Sequence, residues 1–304
     1  MLTQGKLVEV GDTRLYVYDQ GEAEAAPLLY LHGGPALGCH EFVYWQSEAL
    51  GKELRLIAFD QRGAHHSDPV GADTPLTEDI LVEDCEALRE QLGFESWHIL
   101  GHSFGGRLAT RYAARYPERI RSVVFEAPAW HAESTDRYRL PVLAEIYAAH
   151  GRDEQARTCR ELAAQPDIFP NGYNVDLLGG LDELDVAWYL YDRSAGETLD
   201  PAGRERPNPE ASSAAGLRLL NDAGLFENLM PLLSELTMPT RLIIGEADLV
   251  TPPEQVEEFT RRFGPQAVQM FERAGHFVQG EQPELYTRYV LDFIAEVERP
   301  RASA

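Results

Sequence analysis

From Lys6 to Gln20, apolar residues (Leu7, Val8 and Val10, then Leu15, Tyr16, Val17 and Tyr18) alternate with polar ones about the pair Gly11-Asp12. That pattern predicts a β-hairpin closed by a Gly/Asp turn. Short apolar runs at residues 27–31, 55–59, 97–100 and 120–125 predict four more strands, each too short for a helix. Helical spacing fills the gaps. It covers residues 40–50, runs from the cap Thr77 to Leu92 with Gly93 as its stop, and continues from Leu108 to Tyr116 until Pro117 ends it. Strands that alternate with helices imply parallel pairing through helical crossovers, and therefore a sheet buried on both faces.

The alternation stops near Ala127 and resumes only at residues 241–245. The stretch between is roughly 110 residues, far beyond a loop. It carries helical segments at 140–149 and 153–164, the turn pairs Asn171-Gly172 and Gly179-Gly180, and a Pro-rich run at 201–209, with no convincing strand. The expected fold class is therefore α/β: a mostly parallel central sheet flanked by helices, with a helical cap inserted after the sixth strand. The expected domains are a core of residues 1–127 and 236–304 and a cap of residues 128–235. Beyond the cap come a strand at 242–244, a helix at 253–263, a strand at 268–271 and a helix at 283–297, and residues 299–304 read as a disordered tail.

The strand at 97–100 runs straight into Gly101-His102-Ser103-Phe104-Gly105, and a helical pattern follows at once. In that context the pentapeptide reads as a nucleophile elbow, a strained turn that holds a serine hydroxyl clear of the backbone. Serine needs a base, and the base needs an acid to fix its tautomer. Asp248 follows one strand in Gly245-Glu246-Ala247-Asp248, and His276 follows the next in Gly275-His276. Alone, Asp248 could cap the helix beyond Pro252, and His276 could be a packed turn residue. In the order Ser103, Asp248, His276, each after its own strand, the three read as a catalytic triad. Glu126, which ends the strand before the cap, is the rival for the acid.

His32-Gly33-Gly34-Pro35 follows the strand at 27–31, and paired glycines let backbone amides approach an oxyanion. Gly34 N–H and Phe104 N–H are the expected donors. A phosphate loop at Gly101–Gly106 is excluded because Arg107-Leu108 stands where Lys and Ser/Thr would be needed.

Composition narrows the partners. The 304 residues hold 27 Lys and Arg against 50 Asp and Glu, a net charge of −23. Such a surface repels nucleic acid and anionic membranes and favours cationic substrates, though it also serves solubility alone. No apolar run reaches the ~20 residues of a membrane span. The first residues lack the basic and apolar regions of a secretion signal, so the cytoplasm is the expected location. Cys39, Cys85 and Cys159 are scattered and read as reduced thiols; His65 and His66 are adjacent, His98 and His102 fall on a strand and its turn, and no helical His-x-x-x-His face exists. Neither metal nor cofactor is expected.

With His32-Gly33-Gly34-Pro35, Asp60-Gln61-Arg62-Gly63 with Ser67, the elbow, Gly245-Glu246-Ala247-Asp248 with Thr251-Pro252, and Gly275-His276 in place, residues 6–297 resemble an α/β-hydrolase, and within it the proline iminopeptidases. The resemblance implies catalytic roles for Ser103, Asp248 and His276 and oxyanion roles for Gly34 and Phe104. It also implies that cap carboxylates hold the substrate's free amine. Glu183 and Glu197, with Trp188 and Gly33, are the expected substrate contacts, and Asp182 and Asp185 lie near them. The departures are Ala36 where the family has Gly, Ala64-His65-His66 ahead of Ser67, and His102 and Phe104 in the elbow, a form shared with esterases, lactonases and carbon–carbon bond hydrolases. Two activities follow as expectations: an aminopeptidase that releases N-terminal proline or another small apolar residue from short peptides, or a carboxylester or lactone hydrolase on the same triad. A ligand receptor without catalysis is the third reading.

Overall fold

The computed structural model describes residues 4–174, 189–191 and 206–299. Eight strands form one sheet: β1 (Lys6–Val10), β2 (Thr13–Gln20), β3 (Ala26–Leu31), β4 (Leu54–Asp60), β5 (Trp97–His102), β6 (Ile120–Glu126), β7 (Thr240–Gly245) and β8 (Val268–Phe271). Their spatial order is β1-β2-β4-β3-β5-β6-β7-β8. The pairs β1·β2 and β2·β4 are antiparallel, and every other pair is parallel. The hairpin and all six later strands thus stand where the hydrophobic pattern put them.

The α-helices among the described residues are α1 (His40–Leu50), α2 (Glu78–Gln91), α3 (Phe104–Arg115), α4 (Ala132–Ala149), α5 (Asp153–Ala163), α6 (Pro209–Leu220), α7 (Pro253–Phe263), α8 (Val278–Glu281) and α9 (Pro283–Glu298). Thr77 caps α2, its Oγ1 accepting from Ile80 N. Both sheet faces are covered. Leu29, Leu31, Ile57, Phe59, Ile99 and Val123 point into a core shared with α2, α3 and α7. Leu28, Tyr30, Leu56, Leu100 and Val124 on the opposite face meet α1 and α9. Burial on both faces explains why these strands read as apolar runs and the hairpin reads as alternation.

Strand order reverses between β3 and β5, which are neighbours although β4 lies between them in the chain. The chain crosses the sheet on opposite faces to either side of that point and leaves a crevice at the carboxyl ends, the place where open α/β sheets gather ligands.

Between β6 and β7 the described residues contain helices and no strand of the sheet. Three helices differ from expectation, among them α8, whose four residues are too few to carry a periodic signal. The pattern predicts a helix at 140–149, whereas α4 begins at Ala132. Its early turns carry Thr135, Asp136 and Arg139, which are polar yet buried, so apolar spacing does not reveal them. The Pro-rich run at 201–209 ends in α6, with Pro209 at the first helical position, a start signal the hydrophobic pattern leaves out.

Arg107 in α3 is buried and joins the elbow helix to the inserted segment. Its guanidinium pairs with Glu78 and donates to the carbonyls of Ala129, Trp130, Gly224 and Glu227. The residue that excludes a phosphate loop is a five-point structural tie.

Candidate active site

Ser103 lies between β5 and α3 at φ 55° and ψ −119°, a conformation that L-residues adopt only when the surroundings enforce it. The enforcement is visible. Ser103 N donates to Glu126 O at the end of β6 (3.0 Å), and Ser103 O accepts from Gly106 N (2.9 Å) and Ala129 N (3.1 Å). Phe104 opens α3, so its amide is one of the helix's first N–H groups, which have no intrahelical partner and lie at the positive end of the dipole.

The loop after β3 meets the elbow directly. A Cβ on Gly33 would sit 2.8 Å from Ser103 Cβ and 3.0 Å from His102 Nδ1, closer than real side chains approach, so glycine is required there. His32 fixes the next peptide. Its Nε2 accepts from Gln61 N (3.0 Å), which leaves Nδ1–H to donate to Gly33 O (2.8 Å). The Gly33–Gly34 peptide is trans, so holding its carbonyl directs its N–H, that of Gly34, the opposite way. Burial lowers the pKa of His32 to about 4, which keeps it neutral and the arrangement intact across the working pH range.

His276 Nδ1 is 2.7 Å from Asp248 Oδ1. Asp248 is otherwise satisfied by backbone amides: Oδ1 accepts from Val250 N (3.2 Å) and Oδ2 from Thr251 N (2.8 Å). A carboxylate so held accepts the Nδ1 proton and leaves His276 Nε2 unprotonated, the form that can take a proton from a hydroxyl. Ser103, Asp248 and His276 are all buried, each at the carboxyl end of a parallel strand.

Glu126 is occupied elsewhere. Its Oε1 accepts from Gln279 N (3.0 Å) and its Oε2 from Tyr286 OH (2.9 Å), while His276 pairs with Asp248. Burial pushes the Glu126 carboxyl up to about 8, against the pull of those two donors. Its ordinary value is 4.5, so the folded protein keeps a proton that the unfolded chain releases over this window. The stabilisation is fully present below about pH 4.5 and is lost as pH rises through about 8. Glu126→Gln never ionises, so its melting temperature should fall less steeply than the parent's between these pH values. Parallel slopes in a calorimetric pH series would refute this.

Two neighbours of His276 escape the sequence pattern. His102 donates Nε2–H to His276 O (3.1 Å), and the two rings lie 4.6 Å apart. Burial holds the His102 pKa well below the ordinary imidazole value. Tyr189 lies with its ring 5.1 Å from that of His276. Of the expected substrate contacts, Gly33 is at the site, whereas Glu183, Trp188 and Glu197, with Asp182 and Asp185, lie outside the described residues. A cavity of about 30 Å³, room for a water molecule, opens beside the elbow and is lined by Gly33, Leu37, Glu41, His102, Arg206 and Phe277. All three cysteines are free and buried, and among the described residues no helix is long and apolar enough to cross a membrane.

Residues 26–283 match the family described by the alpha/beta hydrolase fold, and the chain belongs to it. Within it, the chain is similar to a proline iminopeptidase from Heyndrickxia coagulans, 25% identical over 303 residues that cover 98% of this chain and 100% of that protein. A proline iminopeptidase from Neisseria gonorrhoeae is 26% identical over 285 residues, 86% of each chain. Among solved structures, the proline iminopeptidase-related protein of Thermus thermophilus superposes with a TM-score of 0.70 at 26% identity, covering 98% of this chain and 99% of that one. The meta-cleavage product hydrolase of Pseudomonas fluorescens gives 0.72 at 21% identity, covering 97% and 99%, a likeness of fold alone.

Proposed function

We propose that this chain is a serine hydrolase in which Ser103 is the nucleophile, His276 the base and Asp248 its acid, with Gly34 N–H and Phe104 N–H as the oxyanion donors. The observation that carries the reading is the Asp248–His276 bond at 2.7 Å, which fixes the imidazole tautomer a serine nucleophile needs. Ser103 Oγ attacks the acyl carbon as His276 Nε2 takes its proton, and the carbonyl oxygen becomes an oxyanion facing the two amides. Collapse expels the leaving group, which takes the proton from His276. Water then repeats the sequence on the acyl-enzyme and frees Ser103. We place the reaction in the cytoplasm, a reducing compartment that suits three buried free thiols.

The substrate we propose is a short peptide with a free N-terminus, proline or another small apolar residue being released. Support comes from the proline iminopeptidase relatives that span the chain and from the acid excess, which attracts ammonium groups. In this reading residues 128–235 form a cap that excludes long chains, Glu183 and Glu197 are the amine-binding carboxylates, Trp188 is a further substrate contact, and Gly33 lines the acyl side. Acetylating the amine of a proline arylamide then removes a charge-assisted contact worth roughly 1.5 to 3 kcal/mol, lowering kcat/KM about ten- to hundredfold. Equal hydrolysis of the free and acetylated arylamides would count against it. A carboxylester or lactone hydrolase is the second reading, favoured by His102 and Phe104 in the elbow, where the sequence departs from the proline iminopeptidase pattern. Short acyl esters assayed beside the arylamides separate the two.

A further inference from the structure

We propose that Glu281 is a positioning residue that clasps residues 189–191, part of the segment inserted between β6 and β7, to the loop carrying His276. The docked segment thereby sets the histidine in place. The inference rests on the reading of His276 as the base. Glu281 ends α8 and turns its carboxylate back on its own loop. Oε2 accepts from Gly275 N at 2.7 Å, and Oε1 accepts from Tyr191 N, also at 2.7 Å. One side chain thus joins two backbone segments far apart in sequence.

The segment touches the loop at further points. His276 N donates to Tyr189 O at 2.7 Å, and the Tyr189 ring lies against the imidazole. A Cβ on Gly275 would lie 2.3 Å from Tyr189 O and 2.9 Å from Tyr191 N, so the close approach requires glycine. The main chain of His276 is therefore held from two sides: His102 grips its carbonyl from the elbow, and the inserted segment grips its N–H.

The chemistry of the clasp needs a carboxylate. Its two oxygens are both acceptors, so it can hold two amides at once, whereas a carboxamide has one oxygen and turns an NH2 group toward the second N–H. Burial raises the Glu281 carboxyl above its ordinary value while the backbone donors of Tyr191, Gly275 and Phe277 oppose the shift. Neither Asp248 nor Ser103 bonds to Glu281; its carboxylate meets the loop at the Gly275 amide, one residue before His276, and also lies close enough to the imidazole to attract its positive form.

The test compares the full-length parent with Glu281→Gln and, independently, with Gly275→Ala, whose added methyl pushes the segment off the loop. Three quantities are read: the rate at which a fluorophosphonate modifies Ser103, kcat and KM on whichever arylamide or ester is hydrolysed, and hydrogen exchange at the Gly275 and Tyr191 amides. The fluorophosphonate needs an activated serine and no amine recognition. In Glu281→Gln, labelling and kcat should fall about ten- to hundredfold because the base is displaced from its reacting geometry, with KM changed little. Both amides should exchange faster together. Gly275→Ala should reproduce the kinetic loss, and it carries the comparison should Glu281→Gln not fold. Labelling at the parent rate in the folded variants, or a loss confined to KM, overturns the proposal. A parent that resists the reagent at Ser103 counts against the serine reading, and the clasp is then judged on exchange, where unchanged amides overturn it.

Discussion

Ser103→Ala should abolish hydrolysis, with turnover down by about 10⁴ or more and melting behaviour almost unchanged. The two expectations are separable because the side chain and the backbone of Ser103 do different things. The backbone carries the structure: N–H and C=O bond to Glu126, Gly106 and Ala129, and alanine keeps all three. The strained φ of 55° is imposed by those contacts and by the packing of the turn, so a residue of the same size meets the same strain. Only the hydroxyl is lost. In the proposed mechanism its loss removes the attacking atom and leaves substrate binding and the proposed oxyanion amides behind. Steady-state assays beside circular dichroism check both halves. Near-normal turnover in the folded variant would mean that Ser103 is not the nucleophile.

The second large effect is expected at the acid. Asp248→Asn should lower turnover by roughly 10² to 10⁴, because an amide cannot stabilise protonated His276 and can present an NH2 group to Nδ1, favouring the wrong tautomer. Glu126→Gln should cost far less in turnover. Its carboxyl accepts from Gln279 N and Tyr286 OH, away from the Asp248–His276 bond, and a carboxamide can still accept one of those contacts. The comparison decides between the two acids the sequence offers. If the Glu126 variant is the more damaged in turnover, the acid sits at the end of β6 and the assignment to Asp248 is wrong.

How much of this is legible in the sequence depends on the range of the interaction involved. Strands buried on both faces announce themselves as apolar runs, and Ser103, Asp248 and His276 are readable because each follows such a run at the carboxyl edge of the sheet. Gly33 and Gly34 are readable for the same reason. The limits appear where a contact joins distant segments through polar atoms. Arg107 reads as the wrong residue for a phosphate loop and turns out to bind carbonyls in two separate stretches of chain, 129–130 and 224–227, besides the Glu78 carboxylate. The start of α4 hides behind the buried polar residues Asp136 and Arg139, which pair with one another. Glu281 sits in a helix of only four residues, too short for any periodic signal, and its partners Gly275 and Tyr191 contribute only backbone amides, which every residue but proline possesses. No residue type at those positions marks them.

The sheet order also bears on when the enzyme becomes active during synthesis. The elbow is made from β5 and α3, and its nearest supports, β3 and β6, are among the earlier strands, whereas the proposed base follows β8, the final strand and the one at the far edge. A nascent chain emerging from the ribosome therefore displays its serine, and the first strands that surround it, long before a proton acceptor exists to activate it. If His276 is the base, as proposed, the hydroxyl stays chemically ordinary until β8 is laid against β7, and a chain halted before that step is an inert α/β domain rather than an unregulated hydrolase.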